Sequence, residues 1–229
     1  MKARQLGYIG ALTILLLNGS FITNTKSCYY NNDKQEHPAN YQLIKKDESI
    51  MLYSRWIKVT DELYTRQLQA VFTIHSSVQH IVSVIRNEKL ASSWIKGAVT
   101  FYHIKQTSSD QWYTYTLFKI PWPFESQDIV SRYKLIKPDD ESLNILIVSV
   151  PDLIPVKQNT SRVIHYEAIW KLVAAGNGIT RVEYSVFSNQ APVYPRWITD
   201  PIIQNNLINS LSALRNLSEK SQKALAMAK

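Results

Sequence analysis

Cysteine is almost absent from this chain of 229 residues, in which Cys28 stands alone. A single thiol cannot form an internal disulfide, and it cannot supply a cysteine-based zinc site. The common catalytic motifs are missing as well: there is no Gly-rich phosphate loop, no Gly-x-Ser-x-Gly elbow and no His-Glu-x-x-His pair. The five histidines are scattered and no third ligand accompanies any pair of them. We therefore expect neither a metal nor a cofactor.

A strong excess of positive charge is also lacking. The 26 lysines and arginines outnumber 18 acidic residues, for a net charge of +8. Three of those basic residues lie in residues 1–27, which hold no acid, so the rest of the chain carries only +5. No Lys/Arg-rich run occurs, and the balance argues against nucleic acid as a partner. With 45% hydrophobic residues, disorder is excluded, and the length predicts one globular domain or two small ones.

Residues 1–27 have the pattern of an export signal. Lys2 and Arg4 precede an apolar run at residues 6–17, which is followed by a polar break. That run is the length of a signal-peptide core, whereas a spanning helix needs about 20 apolar residues. The pattern predicts an exported protein that is periplasmic or membrane-anchored.

Cys28 leaves the processing of this signal open. It follows small residues that suit a signal peptidase, and it is also a candidate for lipid acylation as the first residue of a lipoprotein. Thr25 stands where a lipoprotein signal usually has a Leu-like residue. An uncleaved N-terminal anchor is the third alternative. Residues 28–39 are polar and are predicted to form a tether.

Residues 40–217 are predicted to form one domain rich in strands. A short helix is expected at residues 41–46, and apolar residues at helical spacing predict another at 78–85, with a further short helix near 90–95. Runs rich in β-branched and aromatic residues, separated by turn residues, predict the strands. They lie at residues 50–59, 63–74, 98–105, 111–120, 129–136, 143–150, 163–172 and 179–187.

A long terminal helix follows the last of these strands. Asp200 and Pro201 are predicted to be its N-cap and first residue. Apolar residues at 203, 207, 211 and 214 form one stripe along about four turns. Residues 218–229 are predicted to be a polar tail, a frayed extension of that helix. Short strands joined by turns imply an α+β fold with a largely antiparallel sheet. To bury one face, such a sheet curves around the terminal helix and leaves an internal apolar cavity.

Four stretches of the chain resemble the START (StAR-related lipid-transfer) domain, and in particular its compact bacterial members. They occur in the family's order, with Pro-Trp-Pro opening the second and Gly-Asn-Gly within the third. The chain departs from the family at Gln127, where an Arg is common, and at residues 189–193, where an Asp and a Gly are usual. The stretches are residues 52–94, 121–130, 170–184 and 194–198.

The resemblance implies a helix-grip fold that encloses one lipid-sized apolar ligand. The implied function is non-enzymatic binding, extending to transfer, of a lipid or other hydrophobic small molecule, with a membrane surface as a second partner. In the family the gate is formed by the loop at residues 120–128 and the terminal helix at residues 194–217. Trp122 and Phe124 give this loop a stiff apolar tip suited to a bilayer or a cavity mouth. The oligomeric state is left unpredicted.

The candidate ligand-contacting residues are aromatic or polar side chains on the strands and apolar ones on the terminal helix. Asp128 and Arg132 are four apart on a predicted strand and so share a face, where they form either a polar handle for a head group or a solvent-side pair. For the aromatic residues the alternative is a place in the core. The candidates are Trp94, Tyr113, Tyr115, Trp122, Phe124, Asp128, Arg132, Trp170, Tyr184, Trp197, Leu207 and Leu211.

Two further functions stay open. One is a cyclase- or dehydratase-like enzyme on the same fold, for which His103, His165 and Glu167 are the candidate groups; His165 and Glu167 share a strand face. The other is an envelope interaction module with a filled, ligand-free core. Convergent His, Glu and Tyr groups in a cavity would favour the enzyme, and a collapsed cavity would favour the interaction module.

Overall fold

The structure is a computed structural model, and it describes residues 39–47, 49–59, 64–119, 125–188 and 195–227. Ten strands and three helices follow one another along these residues, with a 3-10 turn at Pro151–Leu153. The strands are β1 (Gln42–Asp47), β2 (Ile50–Lys58), β3 (Tyr64–Ile74), β4 (Ala98–Gln106), β5 (Gln111–Phe118), β6 (Ser126–Ile136), β7 (Ser142–Ser149), β8 (Thr160–Arg162), β9 (Tyr166–Ala174) and β10 (Thr180–Ser188). The helices are α1 (Val78–Arg86), α2 (Glu88–Trp94) and α3 (Arg196–Met227).

The strands form one curved, unclosed sheet in the order β1-β2-β3-β10-β9-β7-β6-β5-β4. All neighbours along this path are antiparallel, and the short β8 adds a parallel pairing at the start of β6. The return of β10 beside β3 joins the N-terminal strands to the later ones in a single layer. The predicted α+β fold with a long C-terminal helix is confirmed.

The core lies between the concave face of the sheet and the helices. Residues at alternate positions of β3, β9 and β10 face inward, as period-two strands require. On α3 the residues Leu207, Leu211 and Leu214 form the matching apolar stripe and are at most 4% exposed. The side chain of Ser77 caps α1 by accepting a hydrogen bond from the backbone N–H of His80. No helix among the described residues combines the length and the hydropathy needed to cross a membrane.

The helix predicted at residues 41–46 is not formed. This segment is the edge strand β1, paired antiparallel with β2. Only Ile44 packs against the core, while Leu43 is 53% exposed. Because backbone pairing with β2 needs no apolar face on β1, the side-chain pattern carries little information about this strand.

The terminal helix begins earlier than predicted. It starts at Arg196, so Asp200 and Pro201 lie inside it rather than at its N-terminus. The carboxylate of Asp200 accepts a hydrogen bond from Nη1 of Arg66 at 2.5 Å, and this contact fixes the first turns against β3. Since Pro201 has no N–H, it cannot donate to the carbonyl of Trp197. The regular hydrogen-bond ladder is therefore interrupted one turn into α3.

The segment predicted as a polar tail, residues 218–229, is helical as far as Met227. Ser218 is fully buried, and Glu219 accepts a hydrogen bond from the backbone N–H of His75 at 3.0 Å. The side chain of Gln222 accepts one from Ser76 at 3.2 Å. These polar groups fasten the helix to the junction of β3 and α1, a long-range contact that local sequence does not reveal.

Ending the chain after Leu217 should lower the free energy of unfolding by about 1–2 kcal/mol, because the hydrogen bonds to His75 and Ser76 are lost. A chain ending after Gln222 keeps both contacts and serves as the matched control. Urea denaturation of the two chains checks this. Equal stability would mean that the last turns do not contribute to the fold.

Candidate functional site

A cavity lies between the concave face of the sheet and α3. Its walls come from six strands, the end of α2 and the N-terminal half of α3. The side chains that line it are Leu68, Trp94, Ile95, Thr116, Phe118, Ile129, Ser131, Tyr133, Ile147, Tyr166, Trp170, Tyr184, Val186, Ile203, Leu207 and Leu211.

The cavity has little free volume. The volume open to the centre of a water-sized sphere is about 70 Å³, and the whole space within the lining, including the part open to solvent, is about 810 Å³. Pockets for drug-sized ligands span roughly 300–1,000 Å³. This free volume is smaller than the lipid-sized cavity that the family resemblance implies. A ligand of that size requires the lining to move apart.

Most of the wall is apolar, and most of its polar groups are hydroxyls. Thr116, Ser131, Tyr133, Tyr166 and Tyr184 supply them, and none of the described lining residues is ionisable near neutral pH. The hydroxyls of Tyr166 and Tyr184 lie 2.9 Å apart and share a hydrogen bond. The arrangement is an apolar chamber with one hydroxyl cluster on β6, β9 and β10.

The tyrosine hydroxyls of this cluster remain protonated under ordinary conditions. Burial raises the pKa of Tyr133 and that of Tyr184 well above the usual value of a phenol. Burial likewise raises the pKa of Tyr166, and the neighbouring Tyr184 adds to the effect. These groups therefore act as neutral hydrogen-bonding groups.

Trp94 contributes a polar atom of a different kind. Its ring packs edge-on against Trp170, with the ring centres 6.3 Å apart. Its indole N–H is buried and has no hydrogen-bond partner among the residues that the structure describes. A buried donor left without an acceptor is uncommon in folded proteins, so this atom calls for an explanation.

Five of the sequence-predicted site residues lie in the cavity wall. They are Trp94, Trp170, Tyr184, Leu207 and Leu211. The ring centres of Trp170 and Tyr184 are 4.3 Å apart on neighbouring strands, and the two leucines approach from α3. That these side chains contact a ligand stays a prediction.

Tyr113 and Tyr115 do not face the cavity. Thr116 of β5 lines it, and side chains alternate along a strand, so these odd-numbered neighbours point to the opposite face. There Tyr115 stacks on Tyr102 with ring centres 5.0 Å apart. The cavity lining therefore includes neither of these two candidate residues.

Asp128 and Arg132 also lie away from the cavity. They share a face of β6, but that face is opposite to Ile129, which lines the cavity. Asp128 pairs instead with Arg162 of β8, through Nε–Oδ1 at 2.5 Å and Nη2–Oδ2 at 3.0 Å. The cavity lining therefore includes neither residue of this pair.

Trp197 lies in the first turn of α3, outside the cavity lining, with 78% of its surface exposed. The other gate candidates, Trp122 and Phe124 in the loop at residues 120–128, fall outside the described residues, as does Cys28. The gate loop, the export signal and the acylation of Cys28 stay predictions.

Sequence reasoning missed two of the three cavity tyrosines, Tyr133 and Tyr166. A usable signal was present for Tyr166, which is four residues before Trp170 on β9 and so shares its inward face. Tyr133 likewise shares a face of β6 with Ile129, because the two residues are four apart on the strand. The missing information was which face of β6 is concave.

Comparison of the sequence with known proteins identifies a distant relative. No family model matches the chain. An uncharacterised protein of Pseudomonas aeruginosa is 26% identical over 181 residues, which span 79% of this chain and 88% of the relative.

Two solved structures are similar over most of their length. A StAR-related lipid transfer protein from Xanthomonas axonopodis has a TM-score of 0.69 at 21% identity, over 78% of this chain and 98% of that one. Human StAR-related lipid transfer protein 5 has a TM-score of 0.68 at 12% identity, over 86% of this chain and 91% of that one. The predicted resemblance is confirmed for the fold: the described residues form the START helix-grip.

Proposed function

We propose that this helix-grip chain binds a lipid or another hydrophobic small molecule in the cavity between its sheet and α3. The observation that carries the proposal is the cavity wall, which is apolar apart from a few neutral hydroxyl and indole groups. Each Å² of apolar ligand surface removed from water contributes about 25 cal/mol. The lipid-transfer proteins with the same fold support the same assignment.

Ligand entry is proposed to require displacement of the N-terminal half of α3. One face of this part of the helix lines the cavity, through Ile203, and another face is exposed to solvent. The exposed apolar residues are Trp197, Ile198 and Ile202. Pro201 interrupts the hydrogen-bond ladder between these positions. A helix with an interrupted ladder and an apolar outer face is suited to shift outward at a bilayer surface.

Native mass spectrometry of the purified chain, followed by lipid extraction, tests the binding. We expect one hydrophobic molecule per chain, either carried through purification or taken up from phosphatidylcholine vesicles that also contain an uncharged long-chain alcohol. A chain that arrives bare and takes up nothing from vesicles would overturn the proposal and favour the interaction module with a filled core. The small free volume of the cavity, about 70 Å³, is the observation that favours this interaction module.

Trp197→Ala should slow lipid uptake from vesicles about fivefold while leaving equilibrium affinity unchanged, because roughly 1 kcal/mol of burial at the bilayer surface is lost. Stopped-flow uptake of a fluorescent lipid measures the rate. Leu225→Ala is the matched control: Leu225 is also exposed on α3, at 53%, but lies near the opposite end. If both variants slow uptake equally, the first turn is not the docking element.

The enzyme alternative depends on the candidate groups His103, His165 and Glu167. His165 and Glu167 are exposed, so these two do not contribute to the cavity wall. An enzyme of this kind would bring His, Glu and Tyr groups together in the cavity, and of these the wall contains the tyrosines Tyr133, Tyr166 and Tyr184. Burial raises the pKa of each of these phenols, which favours hydrogen bonding over proton abstraction. Recovery of an offered ligand chemically unchanged after incubation separates binding from catalysis.

A further inference from the structure

The cavity offers no partner for an ionised group. None of its described lining residues carries a charge near neutral pH. The buried ion pair of Asp128 and Arg162 lies behind the wall, on the other face of β6. Its arginine is further engaged by the carbonyl oxygens of Pro151, Ile154 and Pro155. A head group that enters with a charge would therefore be desolvated without compensation.

The cavity does offer hydrogen-bond donors in excess. Tyr166 and Tyr184 share one hydrogen bond, which uses one of their two O–H groups. The other O–H has no acceptor among the described residues, and neither has the indole N–H of Trp94. Two donors without acceptors in an apolar wall are costly unless an occupant supplies the missing oxygen.

We infer, resting on the proposed function, that the ligand is an uncharged lipid-like molecule with an acceptor oxygen, such as an ester, a ketone or an alcohol. Its oxygen meets Trp94 and the hydroxyl pair of Tyr166 and Tyr184, and its hydrocarbon part lies against the apolar wall. The class excludes molecules that must bury a carboxylate, a phosphate or an ammonium group in the cavity.

The inference that the ligand is uncharged is tested by displacement of the neutral dye Nile red, using probes that share one chain length. Dodecan-1-ol and 2-dodecanone should displace the dye at pH 8 at concentrations at least roughly tenfold lower than dodecanoate. Dodecanoate should gain potency as the pH falls toward 5 and its carboxylate takes up a proton. Equal potency of dodecanoate and dodecan-1-ol at pH 8 would overturn the inference while leaving the binding function intact.

Trp94→Phe tests the acceptor oxygen. It removes the N–H but keeps an aromatic ring, so affinity for 2-dodecanone should fall roughly three- to tenfold while affinity for dodecane stays within about twofold. Tyr113→Phe removes a hydroxyl from the opposite face of β5 and should change neither affinity. An unchanged affinity for 2-dodecanone, or an equal loss for dodecane, would mean that Trp94 only packs.

The two failures are distinguishable. If neither Nile red nor any of the four probes binds the folded chain, the proposed function itself is wrong. If charged and uncharged probes bind with equal affinity, only the inferred ligand class is wrong. The same holds if Trp94→Phe changes the affinities for 2-dodecanone and dodecane by the same factor. Circular dichroism of each variant establishes that it is folded.

Discussion

Replacing Arg162 with methionine should lower the free energy of unfolding by about 3–5 kcal/mol, because it leaves a buried carboxylate without its partner. Asp128 is wholly buried, and both of its oxygens accept hydrogen bonds from this arginine. The carbonyl oxygens of Pro151, Ile154 and Pro155 lose a donor at the same time. Urea denaturation followed by circular dichroism measures the change.

Arg181→Met is the matched control. Arg181 pairs with Glu183 at 3.1 Å, but 60% of its side chain is exposed, and surface pairs contribute only about 0–1 kcal/mol. A double variant, Asp128→Leu with Arg162→Met, should recover part of the lost stability because no unpaired charge remains. If Arg162→Met costs no more than Arg181→Met, the buried pair is not a determinant of the fold.

The pair also has a bearing on the cavity. It holds the parallel strand β8 against the start of β6, where the backbone N–H of Val163 donates to the carbonyl of Asp128 at 2.9 Å. The opposite face of the same strand presents Ile129 to the cavity. Because Asp128 and Ile129 are neighbours on the backbone of β6, the ion pair on one face of the strand also fixes the position of Ile129 in the cavity wall.

The sequence predicted the fold where the hydrophobic pattern is one-sided. On β9 the buried Trp170 and Leu172 alternate with exposed positions, and on α3 the buried Leu207 and Leu211 recur at helical spacing. These patterns depend only on the geometry of strands and helices, so local sequence is sufficient to identify the inward face. The five candidate residues that line the cavity all lie on such elements or beside them.

The pattern failed where both faces of a strand are covered. All five residues of β6 from Gln127 to Ser131 are buried, because the segment that carries β8 packs behind the strand. With no exposed face, alternation along β6 cannot tell the cavity face from the back of the sheet, so the sequence left both alternatives for Asp128 open. The contacts that hold the last turns of α3 could not be predicted for a similar reason, since the partners of Glu219 and Gln222 lie about 145 residues away in sequence.

Val186→Phe should weaken ligand binding at least roughly tenfold by filling the cavity. Val186 lies in the wall on β10 with 3% of its surface exposed, and a benzyl group in place of its isopropyl group enters a cavity whose free volume is only about 70 Å³. Nile red titration measures the affinity. The free energy of unfolding should change by no more than about 1–2 kcal/mol, because the filled void offsets part of the overpacking.

The same substitution at Val173 is the control, since that residue is 41% exposed on the outer face of β9. Val173→Phe should leave the affinity unchanged, and equal losses in both variants would mean that the ligand does not occupy the cavity. Should Val186→Phe fail to fold, Val186→Leu makes a smaller intrusion at the same place. Unaltered affinity in a folded Val186→Phe chain would contradict the proposed site directly, because no ligand can share that space with the ring.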